Sequence, residues 1–226
     1  MHSLLDNPVF NALSSGDSHL GTGTENVKYF DKEVSPYAGF KEDYKKGFED
    51  LHQFLPSGRN ILYATRKKIS EPKGWKILVA IEGLQFVFES GKSIVLNEIE
   101  LVPLGRNHVD EMIALAKLTK PGPFDRRTIE FGNYFGIFEN ENLVAMTGQR
   151  LHVPGFSEVS AVCTHPLHIG KGYAGILLAH QIDIIIKSGQ QPFLHVRSDN
   201  VRAIYLYEKA GFKVNGPMNF YFLKKV

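Results

Sequence analysis

Between residues 157 and 187 the chain reads as a strand, a short turn and a glycine loop that opens directly into an apolar helix. The strand runs from Ser157 to Thr164, His165-Pro166-Leu167-His168 turns the chain, and Ile169-Gly170-Lys171-Gly172-Tyr173-Ala174 leads into a helix reaching Lys187. That helix is apolar nearly all round, so other elements must cover it on both sides. At its start, backbone amides without intrahelical partners sit at the positive end of the helix dipole. Glycines let an anion approach them with no Cβ in the way, and the loop therefore predicts a phosphate grip.

A second pattern lies downstream. After a strand from Pro192 to Arg197 comes Asn200-x-x-Ala203-x-x-Leu206-Tyr207-x-Lys209-x-Gly211-Phe212. Together the two segments resemble the acetyl-CoA site of the GNAT superfamily of N-acetyltransferases. In that family a strand is followed by Arg or Gln, two residues, Gly, one residue, and Gly or Ala. Gly172 and Ala174 fit, while Ile169 stands where Arg or Gln is usual, which removes one contact and keeps the main-chain grip. The resemblance covers roughly residues 95 to 226. It implies an α/β (α+β) fold with a central mixed, mostly antiparallel sheet. Acetyl-CoA is then the cosubstrate, and acetyl passes to an amine of a small molecule or peptide by direct attack, without a covalent enzyme intermediate.

The order of elements agrees with that family independently of the glycines. A strand at Ile94 to Leu101 precedes a helix that Asn107 can cap, with Val109, Met112, Ile113 and Ala116 on one face. A short helix at Asp125 to Glu130 and a hairpin, Asn133 to Phe138 with Leu143 to His152, come next. The cofactor strand and helix, the strand Pro192 to Arg197, a helix Asn200 to Ala210 and a hairpin, Phe212 to Val214 with Phe220 to Leu223, complete the unit. Residues 93–226 are thus expected to form the acetyltransferase domain and residues 1–92 a smaller α/β cap. In the cap, a helix enters through Pro8, Ser14 to Thr24 reads as loop, and a helix around Phe48, Leu51 and Leu55 is followed by strands at Asn60 to Thr65, Trp75 to Ile81 and Leu84 to Phe88.

The resemblance also assigns roles. The main chain of Val162, Cys163 and Thr164 pairs with the pantetheine arm like an added strand. Amides of Ile169, Gly170, Lys171, Gly172, Tyr173 and Ala174 hold the pyrophosphate, with Lys171 able to add a charge-assisted contact. Asn200 and Ala203 help seat the arm. Tyr207 is the general acid that protonates the departing thiolate, and Tyr205, about 200° away around a helix of 3.6 residues per turn, faces elsewhere. For a base the candidate is Glu158, four residues before Val162, which strand alternation would put on the same face, with a pKa raised by burial. Glu130, His152, His165 and His195 are lesser candidates.

Composition excludes several classes. A net charge of +2 gives no field for nucleic acid, and no apolar run approaches the length of a membrane span. The single cysteine, Cys163, rules out an internal disulfide and reads as a buried hydrophobe, and the nine histidines show no ligand spacing, so no metal is expected. Without a signal-like start the expected location is cytoplasmic, as a monomer or homodimer. Two alternatives stay open: a CoA-binding sensor without catalysis, and an NAD-dependent oxidoreductase, because Gly170-x-Gly172-x-x-Gly175 also satisfies the dinucleotide fingerprint.

Overall fold

The computed structural model describes residues 3–90 and 99–226. Proline at the first helical position opens α1 (Pro8–Leu13). A small antiparallel sheet follows, made of β1 (Gly21–Gly23), β2 (Val27–Phe30) and β3 (Ala38–Phe40). Part of the expected loop becomes a strand here because β2 supplies its ladder. The helix α2 (Gly47–Phe54) leads to β4 (Asn60–Thr65) and β5 (Trp75–Phe88). The latter is one strand, not two: Gly83 pairs with Arg197 on one side and Met218 on the other. A Cβ there would stand 2.8 Å from the Val196 carbonyl oxygen, so glycine continues the strand where it was expected to break it.

Residues 94–98 of the strand expected over Ile94 to Leu101 lie outside the described residues. Beyond them come β6 (Val102–Pro103), α3 (Val109–Thr119), β7 (Phe135–Glu139), β8 (Asn142–Val153) and β9 (Phe156–Thr164). Then follow α4 (Tyr173–Lys187), β10 (Gln191–Arg197), α5 (Val201–Ala210) and β11 (Phe212–Lys225). Three local expectations change. Asn107 does not cap α3; the His108 ring accepts the Gly105 amide instead, at 3.0 Å. The short helix near residue 125 is a single 3-10 turn, Thr128–Phe131. The final hairpin is one long strand, because Gly216 (φ +147°) takes up a bulge against β5 where a reversal was expected.

The main sheet has the order β4-β11-β5-β10-β9-β8-β7-β6, antiparallel except for β10 beside β9. Two of its strands precede residue 92, so the sheet runs across the boundary expected between residues 1–92 and 93–226. On one face α4 and α5 bury Leu178, Ile182 and Tyr207 against Phe86, Val159 and Leu194. On the other, α1, α3 and the N-terminal segment bury Leu13, Tyr37 and Met112 against Met146, Ala161 and Phe193. Each large apolar side chain so buried contributes roughly 1.5–3 kcal/mol, which fixes both layers to the strands between them. The catalytically interesting strands, β9 and β10, are in the middle.

Candidate active site

Strands β9 and β10 pair only at Phe156 with Gln191, Ser157 with Pro192 and Glu158 with Phe193. Both then continue, β9 to Thr164 and β10 to Arg197, but from there β10 keeps only its partner β5. The strands part because β9 bulges against β8 between Ser160 and Cys163, with Ala161 at φ +52°. The main chain of Val162, Cys163 and Thr164 is left with a free edge toward the gap.

A pocket of about 450 Å³ opens at this split, and every residue expected to bind the cofactor lines it except Lys171. Its floor is the glycine loop. Gly170 (φ +93°) and Gly172 (φ +84°) adopt left-handed conformations, and a Cβ added to either would have no atom within 4 Å. Among the described residues no acceptor meets the amides of Gly170 through Ala174, whereas that of Ile169 turns back to the Pro166 carbonyl at 3.5 Å. The grip is therefore one residue shorter than expected. Thr164 Oγ1 is buried beside it without a partner among the described residues. A diphosphate and an extended polar arm would satisfy these groups, so the residues present fit coenzyme A.

Lys171 is already engaged: its Nζ lies 2.7 and 2.9 Å from the two oxygens of Glu139, the carboxylate that also accepts from the Tyr173 hydroxyl. These donors hold Glu139 down at about 2. Asn200 caps α5, its Oδ1 accepting the Ala203 amide at 3.2 Å, which fixes that helix on the opposite wall. Tyr207 is buried at 8% exposure and Tyr205 is 67% exposed, yet both line the pocket, so Tyr205 does not face elsewhere as helical spacing had predicted. No hydrogen bond within the described residues reaches the Tyr207 hydroxyl, and burial, with Cys163 and Glu158 nearby, pushes its pKa up to about 12.

Glu158 is not placed as expected. Val159 and Val162 pack into the same α4–α5 layer, so the bulge has shifted the alternation and Glu158 points to the face opposite Val162. There Arg150 binds it through two bonds of 2.8 and 2.9 Å and His195 Nδ1 lies 2.7 Å away. Burial pushes its pKa up, but Arg150 and His195 more than reverse this and leave it at about 2. A base with a raised pKa is thus not what this carboxylate is.

The comparisons with known proteins agree with this geometry. The family described as FR47-like protein matches residues 134–222. A protein assigned to the GNAT family of acetyltransferases, from Novosphingobium aromaticivorans DSM 12444, is 31% identical, with 98% of each chain covered and a TM-score of 0.90. This chain belongs to the GNAT family. More distant structures share the fold: a GCN5-related N-acetyltransferase from Kribbella flavida (12% identity, 96% of this chain and 95% of that one, TM-score 0.63) and a GNAT-family acetyltransferase from Colwellia psychrerythraea (15%, 100% and 98%, 0.54). No curated protein matches.

In this GNAT protein the other base candidates are engaged as well: His195 lies between Glu158 and Gln85, at 2.7 and 2.8 Å, and the other three have partners of their own. Glu130 pairs with Arg127 at 2.8 and 2.9 Å, His152 faces Asp17 at 2.6 Å, and His165 Nδ1 accepts the Leu167 amide at 3.2 Å. Burial raises the Cys163 thiol to about 11, so it carries no thiolate at neutral pH. Among the described residues no cluster could hold a metal, and no helix is long and apolar enough to cross a membrane. The dinucleotide reading loses its acidic partner, since Asp199 is held by Arg197 at 3.0 and 2.7 Å. Two site residues escaped the sequence, Glu139 and Arg150. Each acts on a partner from another strand or loop, and no spacing rule records that.

Proposed function

We propose that the chain is an acetyl-CoA-dependent N-acetyltransferase that passes acetyl directly to an amine of a small molecule or peptide. The observation that carries this is the row of unpartnered amides from Gly170 to Ala174 opening into the split between β9 and β10. Those amides would hold the diphosphate, and the free edge at Val162 to Thr164 would align the arm as an added strand. Bound there, acetyl-CoA supplies an acetyl group activated as a thioester. Tyr207 keeps its proton on the hydroxyl at neutral pH and faces the split, where a general acid is needed. Cys163 stays a protonated thiol, which favours direct attack over an acyl-enzyme. Glu158 is too acidic to take a proton from an ammonium, so the amine reaches the site neutral or gives its proton to water.

The test is amine-dependent release of CoA from acetyl-CoA across amino acids, polyamines and peptides. Release with at least one class is expected; none from any class would refute catalysis. A CoA-binding module without activity is the second reading, favoured by the ion-paired state of Glu158, and it predicts CoA binding with no such release.

A further inference from the structure

The glycine loop has little of its own to hold its shape. Gly170 and Gly172 stand in left-handed conformations with open space around them, and the Ile169 amide meets the Pro166 carbonyl only at 3.5 Å. Amides kept free for an anion cannot also close the loop on itself, so its order must come from side chains. Among the described residues, every side-chain hydrogen bond made by residues 168–173 ends on Glu139 or joins Lys171 to His168. Lys171 Nζ lies 2.7 and 2.9 Å from the two carboxylate oxygens, His168 Nδ1 lies 3.1 Å from one of them, and the Tyr173 hydroxyl donates to the same group. These three side chains bracket both glycines.

Glu139 is itself firmly seated. It closes the β7–β8 ladder opposite Asn142, across the turn Asn140–Glu141, whose φ values of 49° and 64° are those of a tight two-residue hairpin. The Tyr173 ring packs among Ile137, Val144 and Leu177, so its hydroxyl reaches the carboxylate from a fixed position. The loop is thereby tied to a rigid hairpin beside it.

Position decides what this carboxylate does. Glu139 borders a separate cavity of about 460 Å³ together with His165 and His168, whereas neither Glu139 nor Lys171 lines the cofactor pocket. The ion pair therefore sits behind the loop, with Lys171 turned away from the place of the diphosphate. Two effects on cofactor binding oppose each other. The negative charge of Glu139 repels a diphosphate, but Lys171 at 2.7 Å cancels most of that field. Without the tie, the diphosphate would have to order a loop whose two glycines have the most conformational freedom to lose, and this is the larger effect. We propose that Glu139 is a positioning residue: through Lys171, Tyr173 and His168 it sets the glycine loop, before a ligand arrives, in the shape that presents the amides of Gly170 through Ala174. This rests on the acetyl-CoA reading above.

The experiment compares two acetyl donors, acetyl-CoA and S-acetylpantetheine, which has the same arm and thioester but no diphosphate, with an amine that the parent protein acetylates. Glu139→Ala should raise the KM for acetyl-CoA by about tenfold, the scale of one lost charge-assisted hydrogen bond, with kcat and the kinetics of S-acetylpantetheine unchanged. Glu139→Gln still accepts from Lys171 and Tyr173 and should fall between parent and Glu139→Ala. Tyr173→Phe keeps the ring in its apolar cluster and alters no charge, so a rise of about threefold in the same KM separates ordering from electrostatics. A lower KM for acetyl-CoA with Glu139→Ala would mean that Lys171, once released, serves the diphosphate better than the tie does, and would overturn the proposal. An equal loss with both donors overturns it too, as a general defect of the fold. If the parent acetylates no amine, the catalytic reading falls and calorimetry with CoA decides the positioning role alone. Weaker binding by both Glu139→Ala and Tyr173→Phe then supports it; equal or tighter binding, or no binding by the parent, overturns it.

Discussion

Replacing Gly172 by Asp and, separately, by Asn isolates the charge of whatever the glycine loop holds. Gly172 is the N-cap of α4, at φ +84° and ψ 0°, with no atom within 4 Å of an added Cβ. Asn and Asp are the side chains that best tolerate this left-handed conformation and cap helices about equally well, so both variants should fold, at a common cost of about 1 kcal/mol. For a chain of 226 residues that is a melting temperature lower by about 2–4 °C. The variants differ in one negative charge. At about 5 Å from a diphosphate carrying two charges, the repulsion is about 1.7 kcal/mol even at the dielectric constant of water and several-fold more in a partly buried loop. The Asp variant should therefore bind CoA at least about twentyfold more weakly than the Asn variant in a calorimetric titration, with the gap shrinking as salt is added. Gly189→Asn, with φ +77° and equally open space, supplies the control: the same loss of stability and unchanged CoA affinity. Equal affinities for the two Gly172 variants would show that no diphosphate sits on this loop.

Tyr207→Phe should lower kcat by about 100-fold or more, the scale of general acid catalysis, while CoA affinity and melting temperature stay near those of the parent because the hydroxyl has no hydrogen-bond partner among the described residues; unchanged turnover would remove it from that role. Cys163→Ala should retain turnover and, since the thiol is raised to about 11, the parent should resist alkylation at neutral pH; an acetylated Cys163 found by mass spectrometry would contradict direct transfer. Glu158 is held at about 2 against an ordinary 4.5, so its stabilisation is complete above about pH 4.5 and is lost as pH falls toward 2. Glu158→Gln should cost about 3–5 kcal/mol by leaving Arg150 buried without a counter-charge. Its melting temperature should also fall less steeply than the parent's below pH 4.5, and parallel acid profiles would refute the ionised state.

Much of the cofactor half was legible beforehand. The glycine loop, the start of α4, the Asn200 cap and the inward face of Tyr207 all depend on residues within about four positions of one another, and local geometry decides them. The strand break placed at Gly83 and the closing hairpin were misread for one reason. Glycine signals a turn only if no neighbouring strand holds it, and β10 and β11 hold Gly83 while β5 holds the strand through the Gly216 bulge.

By itself, then, the chain determined the glycine loop at the start of α4 and the buried Tyr207, because hydrogen bonds and side-chain directions within one turn of helix are fixed by backbone geometry. Only the tertiary structure decided that β9 and β10 part, that Lys171 is spoken for by Glu139, and that Glu158 is an ion-paired carboxylate and not a base. Those outcomes depend on partners as far away as 32 residues for Lys171 and Glu139 and 37 for Glu158 and His195. Charge and burial act through space, and the alternation that would have placed Glu158 was reset by a single bulge.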